Sequence, residues 1–403
     1  MSKIDNIDQI ENAKDRDLIK LLQKLVRIPS WVPDDEAGKW TQNENRLVDF
    51  IEEWLLANTN LTVVRQKLDY GRFNLIASKG TPEIVFLAHL DTVAPPITSP
   101  YSPLGAEIHD GKVWGRGSSD MKCGIASLMQ AAALSPEANN YAILFYADEE
   151  YDFLGMKALV RDYSDLKPRF LISADGSDLR LGVGCRGLIE IRARVYGQTA
   201  HAASGKGNNA ILGVYQLMEG LSGYFESKSD AIMGKSSLNL AYLFGGKDMG
   251  NEGLVDGKLA KVGQEGNVVS DVAEFVIDIR PSSPEISVES IIETLMETAQ
   301  ERGLRVEVVN VRHDLRAWFT ARSEIAKYEK LVGSVCGLDE VRFTNPRKGG
   351  YLDIQMLWEA VGKPPAFVFG AGSGKTEHAD NENVEINNVI VVRDFFVEVL
   401  KKQ

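Results

Sequence analysis

The sequence predicts an α/β fold: a mixed-sheet domain interrupted by a smaller two-layer α+β unit of ferredoxin-like order. Three observations point there. Short apolar runs alternate with stretches of helical period through the first part of the chain. Near Gly187 the pattern changes to half-wet strands and amphipathic helices in the order β-α-β-β-α-β. A buried-strand pattern, "PAFVFG", returns towards the end, so the second unit reads as an insertion.

Taken in order, "DRDLIKLLQKLVRI" and "ENRLVDFIEEWLLANTN" repeat leucine, isoleucine and valine at spacings of three and four, which makes them helices. The runs "FNLIAS", "EIVFLAH", "NYAILFYA" and "RFLISA" are short, apolar and rich in β-branched or aromatic residues, as buried strands are. Between them "CGIASLMQAAALS" and "LGMKALVRDY" have helical period. "GLIEIRARVYG" alternates apolar and polar residues, a helix follows at about 208–224, and "SLNLAYLFG", "VAEFVIDIR", "SVESIIETLMETAQERG" and "RVEVVNV" complete the inserted unit. The expected bounds are 1–186 with 313–403 for the outer domain and 187–312 for the insertion. A final helix is expected at about 386–401.

At 403 residues the chain exceeds the usual span of one core, which agrees with two domains. A net charge of -12 with no basic stripe argues against a nucleic-acid partner. No run of 18 apolar residues and no secretory leader is visible, so neither a membrane association nor export is expected. Cys123, Cys185 and Cys336 are an odd, widely spaced set without a C-x-x-C, which suits a reducing compartment; a cytoplasmic location is the expectation.

The polar residues at strand ends carry the chemistry. In "FLAHLDTVAP", His89 and Asp91 share one side of an extended segment, so the carboxylate can orient the imidazole. Asp120, in "VWGRGSSDMKCG", is either a helix cap or a carboxylate between two cations. Asp148, Glu149 and Glu150 end an apolar strand; three adjacent acids are either solvated or include a metal ligand beside a general base. Asp175 ends another strand, and His378 follows the last one. Open α/β sheets bind ligands at such ends, and the nitrogen and oxygen donors suit zinc, with cobalt or manganese as alternatives. Two of only five histidines fall at these positions.

The ordered series H89-L-D91, G117-S-S-D120-M-K, D148-E149-E150, D175-G and H378, with G197-Q-T-A-H201 in the insertion, resembles zinc-dependent amidohydrolases and exopeptidases. That family includes acetylornithine deacetylase, succinyl-diaminopimelate desuccinylase, carboxypeptidase G and the carnosinase-type dipeptidases. The resemblance spans nearly the whole chain. It implies two divalent metal ions in a catalytic α/β domain, with the insertion acting as a lid and dimerisation domain. It further implies that Asp120 bridges the ions, that His89 and Asp175 complete one and Glu150 and His378 the other, and that Glu149 is the general base with Asp91 behind His89. A cis Asp120–Met121 peptide, and His201 reaching the active site of the partner in a homodimer, follow from the same resemblance.

For substrate, Arg280 in "VIDIRPSS" suits a carboxylate by a two-pronged hydrogen bond, or else pairs with Asp278 or Glu285. By resemblance Asn267 joins it, with Asn239 a weaker candidate, and "NPRKGGYLD" matches a glycine-rich substrate loop in which Gly349 and Gly350 permit close backbone approach. "FGAGSGKTEHAD" contains the letters of a phosphate loop. The strand-loop-helix order is missing, however, and Gly370, Gly372 and Gly374 are expected to let the loop turn close to substrate or metal before it delivers His378. The remaining histidines, His109 and His313, read as surface or turn residues. The substrate expected is a small N-acyl amino acid. A di- or tripeptide with a free amine is the alternative, suggested by Asp at 175 where the deacylases of the family usually have Glu. A metal-free binding protein comes third.

Overall fold

The computed structural model describes residues 4–31, 43–348, 350–352 and 354–402. They form two compact units. The first comprises the described residues of Met1–Val183, Phe319–Thr344 and Met356–Gln403; the second comprises those of Gly184–Trp318 and Asn345–Gln355.

The first unit is built on a six-stranded mixed sheet. Its strands are β1 (Thr62–Lys67), β2 (Phe73–Lys79), β3 (Ile84–His89), β4 (Tyr141–Tyr146) and β5 (Phe170–Ser173), with Ala366–Val368 arriving from the far end of the chain. The spatial order is β1-β2-β4-β3-β5 and then the 366–368 strand. β2 pairs antiparallel with β1 and with β4, whereas β3, β4, β5 and the 366–368 strand run parallel. β3 and β4 are buried along their whole length, which is why they read as continuous apolar runs.

Helices α1 (Ala13–Arg27), α2 (Asn43–Asn58), α3 (Cys123–Leu134) and α4 (Leu154–Tyr163) belong to this unit. Asn12 caps α1 by accepting from the Lys14 and Asp15 amides, and α1 buries Leu18, Ile19, Leu21, Leu22, Leu25 and Val26. α3 is buried from Cys123 to Ala132, so small and apolar residues occur all round it. The last helix, Ile386–Lys401, sets Phe396 edge-on to Phe86 of β3, and Phe395 against Phe369. A short strand, Asn383–Glu385, precedes it and pairs with Lys112–Trp114; that polar segment reads as loop in the sequence.

In the second unit β6 (Leu188–Tyr196), β7 (Ser237–Gly246), β8 (Val272–Arg280) and β9 (Arg305–Leu315) form an antiparallel sheet in the order β7-β8-β6-β9. Helices α5 (Ala210–Ser227) and α6 (Val288–Glu301) bury Val214, Leu217, Leu221, Ile291 and Leu295 in one core with the sheet. Asn209 caps α5 and a Ser287–Ser290 capping box opens α6. β9 continues two residues past the expected boundary at 313, and His313, expected on the surface, is buried at 7% exposure because it lies on that strand. His109 lies on a short strand and stacks on Tyr101 with ring centroids 4.3 Å apart.

Candidate metal centre

The candidate residues converge because four parallel strands end together. His89 is the last residue of β3. Glu149 and Glu150 follow β4, Asp175 follows β5, and His378 lies beyond the 366–368 strand. Asp120 comes from the other direction, on the turn Ser118–Lys122 that leads into α3, and its peptide bond to Met121 is cis.

His89 Nε2 lies 2.8 Å from Asp120 Oδ1. His378 Nε2 lies 3.1 Å from Asp120 Oδ2 and 3.1 Å from Glu150 Oε1. Donor atoms of His89, Asp120 and Asp175 lie within 4.8 Å of one another, as do those of Asp120, Glu150 and His378, and those of His89, Glu149 and Glu150. Asp120 belongs to the first two groups and offers a different oxygen to each imidazole.

The supporting contacts explain the placement. Asp91 is 1% exposed, and its two oxygens accept the amide N–H groups of Glu149 and Glu150, each at 3.0 Å. The nearest Asp91 oxygen to His89 Nδ1 is therefore the backbone carbonyl at 3.0 Å, with the carboxylate at 3.7 Å; the orienting contact expected from the carboxylate is made mainly by the main chain. Glu382 Oε1 accepts the Ser119 and Asp120 amides at 3.0 Å each, and its other oxygen pairs with Arg116. At Gly372 a Cβ would lie 2.1 Å from Ser119 O, beside Asp120, so the close approach of that segment leaves no room for a side chain. Gly370 is likewise pressed against Asp175 O. Gly374–His378 forms turns, where a phosphate loop would open a helix.

The electrostatics call for added positive charge. Burial alone would raise the Asp120 carboxyl, but the two imidazoles reverse this and hold it below the usual range. Hydrogen bonds to Asp120 and Glu150 push His378 up to about 10. Burial, helped by the Asp120 charge, pushes Asp175 up to about 7. Glu377, beside these acids, is pushed up to about 9, first by burial. Among the described residues no lysine or arginine pairs with Asp120, Glu150 or Asp175; the buried Lys122 instead donates to Ile28 O at 2.7 Å. A buried excess of carboxylates with two imidazoles, and no fixed cation among them, fits divalent metal.

Asp148 is not part of the cluster: its Oδ1 lies 2.7 Å from Arg72 Nη1, so burial beside an arginine, and not metal, satisfies the third acid of the run. The remaining candidates lie in the second unit. His201 is exposed and its Nδ1 accepts the Ala203 amide at 3.2 Å. Asn267 is exposed and accepts the Ala202 amide at its backbone oxygen. Arg280 makes the ion pair with Asp278 foreseen as its alternative, through contacts of 2.9 and 3.1 Å, with its guanidinium 5.6 Å from the Tyr351 ring centroid. Asn239 is exposed on β7. A side chain at Gly350 would meet open space, and Gly349 lies outside the described residues. Sequence reasoning missed Glu44, Arg72, Asn74, Arg116, Glu377 and Glu382. The signal was present for Arg72 and Asn74, polar residues bounding and interrupting an apolar strand.

Carboxylates and imidazoles gathered at the strand ends of an α/β sheet form a candidate metal centre. The chain belongs to peptidase family M20/M25/M40, whose family model matches residues 85–402. It is 26% identical to a succinyl-diaminopimelate desuccinylase of Sulfurovum, across 95% of this chain and 98% of that protein. It is 34% identical to a probable carboxypeptidase of Aspergillus terreus over 40% of each, so it spans well under half the length of that relative. Among solved structures, the aminopeptidase PepT of Bacillus cereus shares the fold, with a TM-score of 0.70 at 20% identity over 96% of this chain and 98% of that one. The protein is a metal-dependent amidohydrolase or peptidase.

Proposed function

We propose that the protein hydrolyses the amide bond of a small N-acyl amino acid, working as a homodimer with two divalent cations, zinc before cobalt or manganese. The observation that carries this reading is the position of Asp120, shared by two donor groups that otherwise use different residues. In this reading Asp120 would help to hold both cations, with His89 and Asp175 completing one site and Glu150 and His378 the other. Bound there, such ions supply Lewis acidity towards a carbonyl and a water.

The chain's own residues do the rest. Glu149, 8% exposed and held at its amide by Asp91, takes the proton from the attacking water on its carboxylate and returns it to the leaving nitrogen. His201, supplied by the partner subunit, donates to the oxygen on which charge develops. Arg280 exchanges Asp278 for the substrate carboxylate, and Asn267, Gly350 and Gly372 are the further candidates for contact with substrate. Dimerisation through the second unit is supported by β7, an edge strand with Tyr242 41% exposed, and by Leu212 and Tyr215 on α5, 60% and 55% exposed. The three cysteines are free thiols, in keeping with a cytoplasmic setting, and among the described residues no helix is long and apolar enough to cross a membrane.

A second reading, a di- or tripeptidase that requires a free amine, rests on Asp175, a shorter acid than the glutamate usual in the deacylases that the sequence resembles. Rates on N-acetylornithine and N-succinyl-diaminopimelate against unblocked dipeptides separate the two. Faster cleavage of the unblocked dipeptides overturns the first reading.

A further inference from the structure

Arg72, which leads into β2, and Asn74 within it lie two residues apart and so share a face of the strand. Both are fully buried. Burying polar groups in an apolar sheet is costly unless each finds partners, and both find them on one short segment, Ala147–Gly155, which leaves β4 and carries Glu149 and Glu150.

At the neck of this loop the Asn74 Oδ1 atom accepts the Ala147 N–H at 3.0 Å, and its Nδ2 donates to Gly155 O at 2.9 Å. The Gly155 N–H closes the ring on Ala147 O at 3.0 Å. The fit leaves no room for a side chain, because a Cβ on Gly155 would lie 2.4 Å from Ala147 O and 2.5 Å from Asn74 Oδ1. Gln66 holds the clasp from behind, its Oε1 accepting from Asn74 at 2.7 Å. Inside the loop Asp148 Oδ1 meets Arg72 Nη1 at 2.7 Å, while Oδ2 accepts the Asp152 and Leu154 amides at 3.2 and 3.1 Å. The rest of the Arg72 fork is occupied by both oxygens of Glu44 on α2. On the opposite side Asp91 holds the Glu149 and Glu150 amides.

We propose that Arg72 and Asn74 are positioning residues for the reaction: together they set the path of the 147–155 loop and so the places of Glu149 and Glu150 relative to His89 and Asp120. The inference rests on the roles proposed above for Glu149 and Glu150. Arg72 touches neither acid; it acts through Asp148, and Asn74 acts through the loop's two ends. The competing account is a buried polar cluster that contributes only to stability. The second unit offers an internal control of that kind, the buried pair Arg194–Glu274 at 2.7 Å.

The test compares Asn74→Ala, Arg72→Lys and the control Arg194→Met in the full-length protein. Four quantities are read: thermal midpoint, kcat and KM on the substrate the native protein cleaves, Zn2+ affinity by competition dialysis, and hydrogen exchange at the Glu149 and Glu150 amides. We expect Asn74→Ala and Arg72→Lys to lower kcat and weaken Zn2+ binding by about ten-fold or more each, with KM little changed and both amides exchanging faster. Arg194→Met should lower the thermal midpoint without moving the other three. If the loop variants lose only thermal midpoint, as the control does, the proposal is overturned. If the native protein neither binds Zn2+ nor cleaves an amide, the functional reading fails by itself, and amide exchange still decides whether the two residues hold the loop.

Discussion

His378 Nε2 lies 3.1 Å from Asp120 Oδ2, although 258 residues separate the two in the chain. His89 reaches the other oxygen of the same carboxylate at 2.8 Å. Removing Asp120 therefore takes a donor from both the His89–Asp120–Asp175 and the Asp120–Glu150–His378 groups, whereas removing Glu150 leaves the first of these intact. Asp120→Ala is expected to lower affinity for both Zn2+ equivalents by more than about 100-fold, since loss of even a supporting contact costs 10- to 100-fold. Glu150→Gln should weaken one equivalent much more than the other. Equilibrium dialysis with elemental analysis distinguishes them, and two unchanged equivalents in Asp120→Ala would sink the bridging assignment.

Glu149 is the carboxylate assigned to proton transfer. Glu149→Ala is expected to retain both Zn2+ equivalents and lose roughly 10²- to 10⁴-fold in kcat, the usual worth of a positioned acid or base. Steady-state kinetics with metal content measured on the same sample checks this; wild-type turnover in the variant would remove Glu149 from the mechanism.

The glycines of the 370–374 loop are not equivalent. A Cβ on Gly372 would fall 2.1 Å from Ser119 O, whereas the nearest atom to one on Gly374 is 3.5 Å away, ordinary contact. Gly372→Ala should cost about 1–3 kcal/mol, as overpacking does, and should reduce Zn2+ affinity by displacing the segment that bears Asp120. Gly374→Ala should stay within about 0.5 kcal/mol of the native protein. Denaturant unfolding of the two variants provides the comparison.

Complementation tests whether His201 acts across a dimer. Each of Glu149→Ala and His201→Ala should be inactive alone, and mixed subunits should regain part of the activity because one hybrid site is complete. Absence of recovery, with subunit exchange shown by mass-tagged chains, would mean that His201 does not serve the neighbouring site.

Thiol reactivity offers a check on the packing. Burial pushes Cys185 up to about 12 and Cys123 higher still, so both remain neutral thiols at pH 8 and present almost no thiolate to an alkylating agent. Cys336 is only half-buried, though also raised by burial. Iodoacetamide at pH 8 should modify Cys336 first, as read by peptide mass spectrometry; faster labelling of Cys123 would contradict the buried position of α3.

Local pattern by itself determined much of this protein. The periods of 3.6 and 2 in side-chain character marked α1, α3, the final helix and the buried strands, because burial selects apolar residues at each of those repeats. The acids and histidines at strand ends were visible for the same reason: polar residues directly after an apolar run mark where a strand leaves the core. Three kinds of fact depended on tertiary packing. One is which member of Asp148-Glu149-Glu150 faces away, a choice made by Arg72 from a strand laid beside β4. Another is the lack of room at Gly372, set by the Ser119 carbonyl of a segment far earlier in the chain. The third is the burial of His313, imposed by its neighbours across β9. Each is a contact between segments far apart in sequence, and short-range periodicity carries no record of which distant group will arrive to pair a buried charge or fill the space above a glycine.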